Sequence, residues 1–160
     1  MKTVYRETTL VGHLTGRIHH NPVVAARQIS THNWWITTRL KYRPFISQLV
    51  LDECANGDPN ASIERLEAIA KIDVLDANLM IDQLAKALVM NNAVPATEPR
   101  DAFHIAIAAA HGIHYLLTWN FKHIANATLR QKIEDVCRYN GFEPPIIATP
   151  DELMEQDNDT

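Results

Sequence analysis

Glycine is scarce in this chain, with five in 160 residues. Neither GxGxxG nor GxxxxGK[ST] occurs, so no glycine-built cradle for a dinucleotide or nucleotide phosphate is indicated. Cysteine is rarer still. Cys54 and Cys137 have no CxxC spacing and read as small apolar residues rather than a disulfide. No apolar run approaches the roughly 20 residues of a bilayer-spanning helix, and the opening MKTVYRETTL has no signal-peptide core. A cytoplasmic chain without membrane contact is expected.

Net positive charge is also missing, the formal value being -4. Five of the nineteen acids, Asp151, Glu152, Glu155, Asp157 and Asp159, crowd a tail that has no Lys or Arg. The other fourteen face fifteen Lys and Arg, so residues 1–150 carry about +1. A globally basic nucleic-acid surface is therefore excluded. Any polyanion would meet local patches, such as Arg39, Lys41 and Arg43, or Lys122, His123, Arg130 and Lys132, whose default is a solvated surface. Lys122 lies nearest the candidate site developed below.

What remains is an ordinary globular composition, 46% hydrophobic and 21% charged, at a length that suits one compact domain. We read residues 1–150 as that domain and 151–160 as an acidic, partly disordered tail. KTVYR at 2–6 is a short strand rich in β-formers, followed by a loop or short helix through Leu14. Pro22 to about Leu40 reads as a long helix, with Pro22 in its first turn. A strand at about 44–46 leads into a helix that Ser47 caps, ending near Gly57. Ile63, Leu66, Ile69 and Ala70 share one helical face, and a brief strand follows at 73–75. Met80, Leu84, Ala87 and Leu88 mark an amphipathic helix. DAFHIAIAAAH is apolar almost all round, as a helix buried against a sheet should be. Tyr115 to Thr118 is a strand, Leu129, Ile133, Val136 and Cys137 form a helical stripe, and Pro145 to Ala148 is a last strand. Thr149 and Glu152 then make a capping box for a short final helix. Strands alternating with helices imply an α/β fold with a mainly parallel sheet.

In such a sheet ligands bind beyond the carboxyl ends of the strands. Glu7 follows the first strand and Asn120 follows YLLTW. Glu53 lies about two turns into the helix leaving the second strand. Asp101 opens the helix that runs back before YLLTW, so its N-terminus returns to the same edge. Topology thus gathers Glu7, Glu53, Asp101 and Asn120 on one rim. Taken singly, Asp101 could complement a helix N-terminus, Asn120 could cap a helix, and Glu7 and Glu53 could be solvated. Taken together, three acids and an amide repel one another unless a cation lies between them. Carboxylate and amide oxygens suit Mg²⁺ or Mn²⁺, and such an ion assists phosphoryl chemistry. Ser47 and Thr118 read as supports or caps.

At these residues the chain resembles the PIN-domain family, of the kind found as VapC-type toxins in toxin–antitoxin pairs. VYRETT is similar to the family's first strand with its acid, and FISQLVLDE to its second strand and Glu. DAFHIAIAAAHGIHYLLTWN is similar to its Asp-initiated helix and the strand ending in Thr-x-Asp/Asn. The resemblance spans about residues 1–150. It implies a PIN-like three-layer α/β/α fold with a five-stranded sheet of order 3-2-1-4-5, and Mg²⁺- or Mn²⁺-dependent hydrolysis of RNA phosphodiesters. Glu7, Glu53, Asp101 and Asn120 would then be both catalytic and metal-binding residues. A cognate antitoxin and a homodimer are implied as partners. Three positions depart from the family: Glu7 stands where many members have Asp, Asn120 replaces a common Asp, and Arg6 occupies a usually apolar strand position. If Arg6 pointed to the rim it would compete with a metal for Glu7. These departures leave open an alternative, a non-catalytic PIN-like module that binds protein or RNA; a phosphohydrolase for small phosphate esters is a third reading.

The eight histidines lack the tight spacing of a zinc site. His104, one turn after Asp101, reads first as structural, with contact to Asp101 or phosphate as the sharper role. Of Trp34 and Trp35, adjacent on one helix, one is expected in the core and the other toward a partner. Trp119 is the tryptophan placed to touch substrate.

Overall fold

The computed structural model describes residues 1–154; the expected disorder at 155–160 lies outside the described residues. Five strands, β1 (Lys2–Arg6), β2 (Tyr42–Ser47), β3 (Asp73–Leu75), β4 (Tyr115–Leu117) and β5 (Ile146–Ala148), form a single sheet. Every pairing is parallel and the order is β3-β2-β1-β4-β5. This is the α/β arrangement expected both from the strand–helix alternation and from the resemblance to PIN domains.

Among the described residues seven helices connect the strands: α1 (Thr8–Thr15), α2 (Pro22–Thr37), α3 (Gln48–Cys54), α4 (Pro59–Ile69), α5 (Leu79–Met90), α6 (Pro99–Ala110) and α7 (Ala127–Tyr139). Successive strand residues point to opposite faces, and the two rows differ in what covers them. Tyr5, Leu116 and Ile147 are aligned by register and meet the buried side chains of α3 to α7. Val4, Leu117 and Ala148 face the other way, onto Trp34 of α2 and Leu10 of α1. The result is three layers. The run IAIAAA in α6 is buried almost all round, so its small side chains let α6 sit between the sheet and α5. Gly112, at φ 65°, ends α6 in the left-handed conformation that turns the chain into β4.

Local chemistry adjusts several expected boundaries. The long helix ends at Thr37 rather than Leu40, and Arg39–Lys41 form a 3-10 turn. Two threonine hydroxyls bend back to the preceding turn here, Thr37 Oγ1 to the Asn33 carbonyl at 2.6 Å and Thr38 Oγ1 to that of Trp34 at 2.5 Å. Such back-bonding weakens and bends a helix. The buried stripe of α5 is Ile81, Leu84 and Leu88, with Met80 56% exposed; the stripe is set one residue on from the expected Met80. Ile63 on α4 is likewise exposed, while Leu66 and Ile69 pack inward. The capping box forms, Thr149 N donating to Glu152 Oε1 at 3.2 Å and Glu152 N to Thr149 Oγ1 at 3.4 Å. It closes a turn instead of the expected helix, because the next step sends Leu153 into the core beside Trp34.

No helix among the described residues is long and apolar enough to cross a membrane. Both cysteines are free and buried, and burial pushes each thiol up to about 11. A thiol reagent at pH 8 should therefore find essentially no reactive cysteine in the folded protein and two in denaturant; a fast-reacting native thiol would contradict this packing.

Candidate active site

The rim begins where β1 ends. Glu7 is 3% exposed and its main-chain N–H still donates to the Leu117 carbonyl of β4 at 3.1 Å. Its side chain then caps α1, accepting from Thr9 N at 3.1 Å. The same oxygen accepts from the Thr9 hydroxyl and from Thr118 Oγ1, the latter at 2.9 Å. Arg6, one residue earlier, points to the other face of the sheet. Its guanidinium lies 3.8 Å from the Trp35 ring centroid, so the conditional competition for Glu7 is resolved by strand alternation.

Glu53 reaches the same place from α3. Thr8 Oγ1 donates to its Oε1 at 2.8 Å, and His104 Nε2 lies 2.7 Å from that oxygen and 3.9 Å from Glu7 Oε1. Burial pushes the Glu53 carboxyl up. The hydrogen bond and charge of His104, the Thr8 hydroxyl and the Arg100 charge outweigh it, leaving the group below the ordinary carboxylate range.

Behind His104 a polar chain runs into the core. His104 Nδ1 is 2.7 Å from the Tyr5 hydroxyl, which is 2.7 Å from Ser47 Oγ. Ser47 also caps α3 through Val50 N, as expected of it. Each link lies within hydrogen-bond distance, so Ser47 Oγ, the Tyr5 hydroxyl and both His104 nitrogens all have partners. Burial raises the Tyr5 phenol well above its ordinary value, keeping it a donor.

Asp101, in the first turn of α6, belongs to a neighbouring group. Its Oδ2 lies 2.9 Å from His123 Nδ1, and ligand atoms of Glu98, Asp101 and His123 all fall within 4.8 Å of one another. Asn120 links the two groups. Its N–H donates to Thr118 Oγ1 at 2.9 Å, and its Oδ1 accepts from His123 N at 3.0 Å. Of the four sequence-derived candidates, Glu7 and Glu53 meet directly, with His104 as third member. Asp101 and Asn120 lie further along the same hydrogen-bonded rim.

Two histidines carry more of the site than their spacing indicated. His104 is fully buried at the meeting point of Glu7 and Glu53, and its position three residues after Asp101 was the available signal. His123 had none, because it pairs with Asp101 across a loop. His111 and His114 lie elsewhere: His111 meets the Asp76 carbonyl, and His114 meets Thr3 near the start of β1. Trp119 is 5% exposed, with its Nε1 donating to Thr31 Oγ1 at 2.8 Å, whereas the next aromatic, Phe121, is 43% exposed. The aromatic surface at the rim is therefore Phe121.

Ligand atoms of Glu7, Glu53 and His104 all lie within 4.8 Å of one another. Two carboxylates and an imidazole fit a divalent ion, and the nitrogen favours Mn²⁺ over Mg²⁺ in such a set. No known protein-family model matches the chain, and no curated protein matches it.

Replacing Tyr5 with Phe removes one hydroxyl and leaves the buried His104 Nδ1 and Ser47 Oγ without it. Urea unfolding of Tyr5→Phe should show a loss of about 1–3 kcal/mol. An unchanged midpoint would mean that the chain from Ser47 to Glu53 contributes nothing to stability.

Proposed function

We propose that the protein is a metal-dependent endoribonuclease of the PIN type, toxin-like in character and hydrolysing RNA phosphodiesters. One observation carries the reading: the Glu7 and Glu53 carboxylates meet at the carboxyl edge of a parallel 3-2-1-4-5 sheet, with Asp101 and Asn120 next along the rim. Mg²⁺ or Mn²⁺ would be held by Glu7 and Glu53, with His104 orienting Glu53 or joining the set, and by Asp101 on the Asn120 side.

When bound, the ion would supply charge neutralisation and Lewis-acid polarisation of a phosphoryl group. The chain's own groups do the rest. Thr118, Thr9 and Thr8 hold the two carboxylates against rotation. His123 orients Asp101, and Asn120 positions His123 through its main-chain N–H. Exposed Lys122, two residues beyond Asn120, is available to a strand phosphate.

An antitoxin partner and a homodimer belong to the same proposal. Trp34 is in the core, so a dimer through α2 would use its outer face, where Ile29 and Ile36 are 53% and 67% exposed. Ile36→Glu should then shift the sedimentation velocity of a dimer to that of a monomer.

The deciding experiment is cleavage of a mixed RNA pool with Mn²⁺ or Mg²⁺ by the native chain, Glu53→Gln and Asp101→Asn. Removing a partner behind a metal ligand typically costs about 10–100-fold, so loss of a ligand should cost at least that. No cutting by the native chain, together with no Mn²⁺ binding by calorimetry, would favour the non-catalytic module. Cutting of small phosphate esters but not RNA would favour the phosphohydrolase.

A further inference from the structure

Beside the acidic rim lies an open recess of roughly 430 Å³ between α2 and the loop after β4, lined in part by Val23, Arg27, Ser30, Trp119, Phe121 and Asp151, whose carboxylate accepts from the Ser30 hydroxyl. The Arg27 guanidinium sits 4.8 Å from the Phe121 ring centroid and 5.9 Å from that of Trp119. The two rings are 6.0 Å apart and inclined at 59°. Trp119 is locked from behind by its bond to Thr31, so it forms the floor. Phe121 forms an exposed wall. Among the described residues no carboxylate pairs with Arg27.

The recess is tied to the rim through the Thr9 hydroxyl. Trp119 N donates to Thr9 Oγ1 at 2.9 Å, and that hydroxyl donates to Glu7. Asn120 stands between the two aromatics in sequence, and Phe121 N bonds the Trp119 carbonyl at 3.0 Å.

From this geometry we propose that the recess is a nucleotide subsite, in which a base of single-stranded RNA stacks on Phe121 and Arg27 takes the adjoining phosphate. This rests on the ribonuclease reading of the neighbouring carboxylates. An exposed aromatic ring with a cation beside it matches what a single strand offers, a π-face and a negative charge in alternation. Charge selects the occupant. The domain body is nearly neutral, the rim is acidic and the acid lining the recess, Asp151, is bonded to Ser30 rather than to Arg27, so Arg27 is the local cation that a polyanion needs next to the rim. Since any base has a π-face, the subsite would contribute affinity and register more than strict sequence choice.

The test is fluorescence anisotropy with a fluorescein-labelled, mixed-sequence RNA of about ten nucleotides, in EDTA so that nothing is cut. Native protein, Phe121→Leu, Phe121→Trp and Arg27→Gln are compared, with thermal melts confirming that each variant is folded. Phe121→Leu should weaken binding about tenfold, and Phe121→Trp should restore it. Arg27→Gln should weaken binding and reduce the salt slope by about one. Binding of Phe121→Leu and Arg27→Gln within about twofold of native would overturn the subsite, as would no binding by the native chain. Loss of self-association in Phe121→Leu at unchanged RNA affinity would assign the recess to a second copy and also overturn it. Binding that follows the expected pattern, with no Mn²⁺-dependent cutting of the same RNA by the native chain, would uphold the subsite and remove the nuclease reading alone.

Discussion

Two carboxylates, Glu7 and Glu53, are held together against a buried imidazole, and much of the molecule is arranged around that contact. An uncompensated buried charge costs several kcal/mol, so each carboxylate must find partners. Glu7 finds them in the hydroxyls of Thr9 and Thr118, and Glu53 in Thr8 and His104. These residues come from α1, the end of β4 and α6, while the carboxylates come from the end of β1 and from α3. The electrostatic requirement therefore acts on the placement of five segments at once. The chain from Ser47 through Tyr5 extends it into the core and ties β2 to β1 and α6.

The rim is graded along its length. At one end Glu7 is buried and Glu53 half-buried, closely spaced; Asn120 offers an amide, and Phe121 and Arg27 provide an aromatic and a cation. The proposed nuclease reading uses this grading directly, with a phosphodiester at the acids and the adjoining nucleotide in the recess. Asn120 is neutral, so it adds no negative charge between the acids and the recess. Arg6 shows the same economy of position. Strand alternation alone sends it to Trp35, so a cation one residue from Glu7 leaves the acidic edge untouched.

Legibility differed by kind of interaction. The strand–helix alternation was visible because hydrophobic period and turn residues are local signals, and it led to the parallel sheet and to Glu7 and Glu53 at one edge. His104 was underestimated because a histidine within an apolar helix looks structural until its partners are known. Trp119, expected to touch substrate, is buried because its exposure depends on Thr31 and α2, more than eighty residues away in sequence. The one-residue shift of the α5 stripe from Met80 to Ile81 follows from which side of the helix meets α6.

By itself, then, the amino-acid order determined the class of fold, the strand sequence and the edge where polar groups collect, because helix and strand periods and the right-handed crossover are properties of short stretches of chain. Only the tertiary structure decided which groups touch. It set His104 between Glu7 and Glu53, gave Asp101 its histidine, turned Arg6 away and left Phe121 open. Those outcomes depend on side-chain direction and on competition among distant partners for the same few hydrogen bonds, which no local pattern encodes.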